Sequence, residues 1–365
     1  NSSLGMVQGS FEFQGLDIDR MPASSPAWTY NLAFREESSS VPMIQVDSGN
    51  DHSCGIMADG ELRCWGENSY GKLGDGSSTR RTRPTSTQLD STEIVTQVSA
   101  GIGNTCVVLE TGRVSCWGYG NYGQLGDGTT ADSALPKEIL MPWDKHSVMV
   151  STGRNFACTL LDNGEIWCWG RNNYGQLGFG STVGIELLPV QVNLPEGRFA
   201  LSIDATYDSA CAVLDDGSAM CWGNRYYGSL GSTTSASSSG VSVTSPEYVL
   251  TPEGHSVSII AIGLYHGCAT MTDQTLWCWG RNQYGEVGDG TTAYSSLSGA
   301  RPIPVQIDVQ YFAPIVAMSA GDGFTCAHHD DATLTCWGQN DQGQLGDGTN
   351  TNQNEPTPLT LESGT

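Results

Sequence analysis

The residues best suited to covalent chemistry are the cysteines. All twelve fall into pairs ten residues apart: Cys54 with Cys64, Cys106 with Cys116, Cys158 with Cys168, Cys211 with Cys221, Cys268 with Cys278, and Cys326 with Cys336. Such thiols either oxidise or hold a metal. A ten-residue spacing without a neighbouring pair of histidines is a poor match to zinc sites, so disulfides are expected and no metal is assigned. No thiol is left over, which points to an oxidising compartment.

The segment from Cys106 to Cys116 turns at Glu110-Thr-Gly112. If its two halves are strands paired symmetrically about Thr111, the cysteines stand directly opposite each other. Cα atoms in such a pair lie roughly 4.5 Å apart, near the lower end of disulfide geometry. A bridge inside each hairpin closes a ring of about eleven residues, for which chain entropy suggests about 3 kcal/mol.

Other reactive types are poorly placed for chemistry. Asp75, Asp127, Asp289 and Asp347 each precede a glycine; standing singly, they read as turn residues rather than calcium ligands. In His328-His-Asp-Asp331, strand alternation sends the two histidines to opposite faces. His52 and His266 occupy a position where other repeats have Asn104, Phe156, Ser209 and Phe324. Without a nucleophile elbow, a phosphate-cradling loop or a metalloprotease helix, no catalytic residue and no cofactor is assigned, and the chain reads as non-enzymatic.

The elements that carry these residues repeat. Second cysteines follow one another at 52, 52, 53, 57 and 58 residues, room for four short strands each. Runs of period two bounded by glycines, with no capped helical run, define an all-β chain. Trp65, Trp117, Trp169, Trp222, Trp279 and Trp337 follow the second cysteines, so they point to the other sheet face and are expected to pack between adjacent sheets. Tyr70, Tyr122, Tyr174, Tyr227 and Tyr284 also recur and are expected to pack on the local turn.

The stretches Cys168-Trp-Gly-Arg-Asn-Asn-Tyr-Gly-Gln-Leu-Gly178 and Cys336-Trp-Gly-Gln-Asn-Asp-Gln-Gly-Gln-Leu-Gly346 resemble repeats of the regulator of chromosome condensation family, including secreted relatives with paired hairpin cysteines. The resemblance spans 44–365 and implies a β-propeller. Family members usually close with seven blades. The expectation is therefore about seven four-stranded blades, six of them from the repeats of 44–365. An atypical segment, 1–43, completes the ring through the runs Gly9–Gln14 and Ala27–Ala33, with an outer strand at Pro356–Leu361. Six blades with an N-terminal extension is the alternative. The nucleotide-exchange role of the family is not carried over, since its inserted loop and basic tail are missing. Photoreception is not carried over either, since the tryptophans are spread one per repeat.

With 39 acidic and 16 basic residues and a net charge of -23, the surface repels polyanions, and nucleic acid is excluded as a partner. The longest apolar run, Ser258–Leu264, is too short to span a membrane. A start at Asn1 suggests a processed form or part of a longer protein, and Asn1-Ser-Ser3 is a glycosylation sequon. Variable loops at Thr79–Arg83, Ser232–Gly240 and Thr292–Gly299 are expected to build one uneven face. The reading is an extracellular or cell-surface interaction or structural module whose partner is another extracellular protein or copies of itself. A glycan-binding propeller and a secreted hydrolase inhibitor are the alternatives; exposed aromatics flanked by Asp and Asn on one face would favour glycan.

Overall fold

The computed structural model describes residues 41–142, 145–232, 241–292 and 299–359. These form six sheets, each of four consecutive antiparallel strands. Blade 1 holds β1 (Met43–Ser48), β2 (His52–Met57), β3 (Leu62–Gly66) and β4 (Arg81–Ser86). Blade 2 runs from β5 (Val95–Ala100) to β8 (Ser133–Glu138), and blade 3 from β9 (Ser147–Thr152) to β12 (Ile185–Gln191). Blade 4 runs from β13 (Ala200–Thr206) to β16 (Ser242–Tyr248), blade 5 from β17 (Val257–Ile262) to β20 (Arg301–Ile307), and blade 6 from β21 (Ile315–Ala320) to β24 (Gln353–Pro358). Short strands bounded by glycine turns leave no helix beyond two single 3-10 turns among the described residues. None is long and apolar enough to cross a membrane.

Six blades, not seven, are described. The expected seventh was placed on 1–43, of which 1–40, including both strand-like runs and the Asn1 sequon, lie outside the described residues. The last strand is Gln353–Pro358, so the run at Pro356–Leu361 begins inside an outer strand and passes beyond the described residues.

Every hairpin has the symmetric register that the turn demands, with Cys54 opposite Cys64, Cys106 opposite Cys116, and so through Cys326 opposite Cys336. All six pairs are disulfides with Cα atoms 4.0–4.1 Å apart.

First strands of successive blades lie side by side around the axis and are tied by one repeated bond. In blades 1 to 4 the side chain opposite the first cysteine accepts an N–H of the next blade's first strand, whereas blade 5 has Ala261 at that position. Asp47 takes Ala100 at 2.7 Å, Ser99 takes Thr152 at 3.1 Å, Ser151 takes Ala205 at 2.9 Å, and Asp204 takes Ile262 at 2.8 Å. Burial raises the Asp47 and Asp204 carboxyls, the latter to about 6 with a contribution from the charge on Asp47.

Blades also clamp one another in one direction. In blades 1 to 5 the Leu-Gly turn, Val287-Gly288 in blade 5, sits on the tryptophan of the next blade. Trp117, Trp169, Trp222, Trp279 and Trp337 are fully buried. Their indole N–H groups donate to Lys72, Gln124, Gln176, Ser229 and Glu286 carbonyls at 2.8–3.0 Å. Glycine is required beside the ring: a Cβ on Gly74, at φ 67, would lie 2.7 Å from Trp117 Nε1. Within the clamp loop an asparagine side chain caps the buried aliphatic residue, as Asn172 Oδ1 does for Leu177 N–H at 3.1 Å. Trp65 departs from this pattern. It is only partly buried, and among the described residues its N–H has no hydrogen-bond partner.

Candidate interaction face

The turns joining first and second strands and the loops that follow Cys-Trp-Gly open on the same face, since the third strand ends beside the start of the second, as Gly118 pairs with Asn104. The tyrosines sit there, and they do not pack only on their own turns as expected. Tyr70 is 53% exposed and Tyr122, Tyr174, Tyr227 and Tyr284 are partly exposed.

The residue after Cys-Trp-Gly joins them into a belt. Tyr119 lies between Tyr70 at 4.8 Å and Tyr122 at 6.1 Å. Arg171 is 5.6 Å from both Tyr122 and Tyr174. Arg281 is 5.0 Å from Tyr265 and 5.5 Å from Tyr284. Tyr265 also meets Tyr226 and Tyr227 edge-on at 5.8 and 5.3 Å. Tyrosine rings with Arg171 and Arg281 between some of them thus line this face in blades 1 to 5, with favourable quadrupole and cation–π contacts.

In blade 4 the same position is Asn224, and the belt opens into a cavity of about 190 Å³ lined by Arg154, Tyr174, Tyr207, Asp208, Tyr226 and Tyr265, among others. Asn224 is 8% exposed and its Oδ1 has no hydrogen-bond partner. Arg154 is exposed, stands 5.8 Å from the Tyr207 ring and makes no ion pair among the described residues. Burial raises Asp208 and Tyr207, although Arg171 and Arg154 oppose the shift at Asp208. Three tyrosines of this face hold left-handed backbone: Tyr70 at φ 65, Tyr227 at 56 and Tyr207 at 34. Such conformations cost energy in a bulky residue and concentrate at binding sites.

The other singled-out residues serve structure. Asp75, Asp127, Asp289 and Asp347 accept N–H groups of Ser77, Thr129, Thr291 and Thr349 two residues on, as turn carboxylates do. His52 and His266 reach across blade junctions to Thr105 and Thr325, each at 2.8 Å. Burial lowers them to about 4 and about 3, aided by the charges of Lys72 and Arg281 respectively. His329 is buried and bonded to Ala313 and Thr335, while His328 points to the other face of the strand. No group of three or more metal-ligating side chains occurs among the described residues. Of the variable loops, 233–240 and 293–298 lie outside the described residues.

Fold and face together define a disulfide-stapled β-propeller with one face rich in tyrosine and arginine. The chain belongs to the regulator of chromosome condensation (RCC1) repeat family: repeats match at 59–108, 111–160, 163–213, 273–328 and 333–365, and a second RCC1 repeat profile matches at 43–72, 95–124, 149–176, 257–286 and 315–344. It is 30% identical to the ultraviolet-B receptor UVR8 of Arabidopsis thaliana over 320 residues, 87% of this chain and 70% of that one. It is 31% identical to the human E3 ubiquitin-protein ligase HERC2 over 255 residues, 69% of this chain, but spans only 5% of HERC2. Among solved structures, yeast RCC1 (Prp20) bound to Kap60 superposes with a TM-score of 0.77 at 20% identity, covering 88% of this chain and 75% of Prp20. Human WBSCR16 also gives 0.77, at 21% identity, covering 95% and 83%.

Proposed function

We propose that this chain is a non-enzymatic, extracellular or cell-surface propeller that binds another protein, or a second copy of itself, through its tyrosine–arginine belt. The belt carries the reading. Tyr and Arg offer large contact area and directional donors at low entropic cost and dominate protein-interface energetics. Kap60 is bound to yeast RCC1, a propeller of this shape. Six disulfides support an oxidising location. Non-enzymatic character is supported by the histidines and turn aspartates, which are engaged in holding loops and blade junctions.

The test is capture from native surface material with the wild type, with an Arg154→Ala/Tyr207→Ala double variant, and with Gln310→Ala far from the belt as control. The partner should bind wild type and control alike and bind the double variant at least about tenfold more weakly. Equal binding to all three would remove the belt from the interaction.

A second reading rests on the cavity, where tyrosines flank Asp208 and Asn224, the arrangement that stacks and hydrogen-bonds a sugar. Retention on one glycan class that Asn224→Ala abolishes, with no protein captured, would favour it.

A further inference from the structure

Blades 1 and 4 carry a pair of acceptors at equivalent positions, but only blade 1 supplies a cation from the same repeat. Counted from Cys-Trp-Gly, Glu67 and Lys72 correspond to Asn224 and Ser229, and Asp51 corresponds to Asp208. In blade 1 the Lys72 side chain is 4% exposed, with Nζ 2.5 Å from Asp51 and 2.7 Å from Glu67. In blade 4 both acceptors remain while serine replaces the lysine, and the Ser229 hydroxyl turns to the Asn224 carbonyl at 3.2 Å. Asn224 N–H donates to the Asp208 carbonyl at 2.9 Å, which sets the two residues side by side on the cavity wall. The Asn224 Oδ1 is buried without a donor. Gln176 Nε2 donates to Asp208 Oδ1 at 3.3 Å and Arg171 stands 3.8 Å from that same oxygen, whereas Oδ2 accepts no hydrogen bond among the described residues.

We propose that this cavity receives one guanidinium group, the side chain of an arginine on the partner protein, in the place that Lys72 fills in blade 1. Its donors meet Asp208 Oδ2 and Asn224 Oδ1 while its plane lies against the tyrosine walls, Tyr174, Tyr207, Tyr226 and Tyr265. Guanidinium suits this site better than ammonium because it is flat enough to stack and wide enough to reach two acceptors. A volume of about 190 Å³ lies below the roughly 300–1,000 Å³ of sites for drug-sized ligands and fits a single side chain. Burial raises the Tyr207 phenol, and the charge on Asp322 adds to the rise more than Arg154 opposes it. Arg154 is exposed at the rim, where water and salt screen its repulsion. The net charge of -23 draws basic partners toward the chain. That the arginine comes from a protein rests on the belt's role in protein binding.

Saturation-transfer NMR of the full oxidised chain tests it, with N-acetyl-arginine amide as the probe and the corresponding lysine and glutamate amides and methyl glucoside as comparisons. The arginine probe should bind most tightly, and Asp208→Asn should raise its apparent Kd at least about tenfold, the effect of losing a charge-assisted hydrogen bond. Ser229→Lys, which supplies the cation of blade 1, should abolish probe binding without lowering the melting temperature. Asp51→Asn should leave probe binding unchanged. Equal or tighter binding of lysine, glutamate or glucoside would overturn the proposal, as would arginine binding indifferent to both blade 4 variants. Failure to bind the arginine probe would overturn it even where the belt captures protein. Probe binding that depends on Asp208, in a chain whose belt variants capture protein as well as the wild type does, would overturn the protein source and keep the guanidinium site.

Discussion

The indole N–H of Trp117 donates at 3.0 Å to the carbonyl of Lys72, a residue of the preceding blade. Sheet packing here is therefore keyed by a directional bond as well as by area.

Trp169 makes the same bond in the interior of the arc and is fully buried. Trp169→Ala is expected to cost about 3–5 kcal/mol, since it empties a large site and leaves the Gln124 carbonyl without its donor. Trp65→Ala, starting from a partly exposed ring without that bond, is expected to cost less than half as much. Denaturant midpoints of the two variants provide the comparison, and equal losses would refute the keyed-clamp account.

Asp204 has a folded-state value of about 6 against an ordinary 3.8, with burial as the main cause. A raised carboxyl binds its proton more tightly in the folded chain. Its contribution is thus most favourable below about pH 4 and is lost as pH rises through 6. Asp204→Asn, which keeps an acceptor for the Ile262 N–H, should melt higher than wild type at pH 7.5. The advantage should vanish by pH 4 in melting curves taken across that range.

The two histidines at the blade junctions act in the opposite sense. His266, held at about 3, and His52, at about 4, stay neutral in the fold but protonate near 6.5 when unfolded. The stability they allow is complete above 6.5 and drains as pH falls toward 4 and 3. Blade 2 has Asn104 at this position, so His266→Asn should flatten the acid limb of a stability–pH profile. An unchanged limb would contradict the assignment.

Four hairpin turns place glycine at a left-handed position, Gly60, Gly112, Gly164 and Gly217, where blades 5 and 6 have Gln274 at φ 71 and Ala332 at φ 67. Relief of about 1 kcal/mol of backbone strain is expected from Ala332→Gly, partly offset by the entropy of glycine. Calorimetry should show a gain of roughly 1–3 °C.

Five first cysteines are fully buried, whereas Cys326 is partly exposed. Under limiting reductant the Cys326–Cys336 bridge should open first, because access governs attack by a thiolate. Alkylation followed by mass mapping reads the order directly.

Much of this architecture was legible in the residues. The ten-residue cysteine spacing dictates one hairpin register, and the alternation that follows sets each tryptophan on the opposite face. What the spacing does not encode is which elements meet across blades. The partner of Trp117 is Lys72, 45 residues earlier, and Arg171 finds Tyr122 in the preceding blade. Tyr122 and Tyr174 looked like turn packing because their own repeats supply a turn; the arginine between them becomes apparent only once neighbouring blades are stacked. The asparagine at 224 carries no signal in the chain order, since its role comes from replacing a larger residue in the belt.

The bridges join cysteines that are also consecutive along the chain. A polypeptide emerging from its N-terminus into an oxidant would present each thiol with its native mate as the next to arrive, and a short loop closes more readily than a long one. Oxidation in order of appearance is then correct oxidation, so the scaffold can mature without any enzyme to reshuffle its bonds.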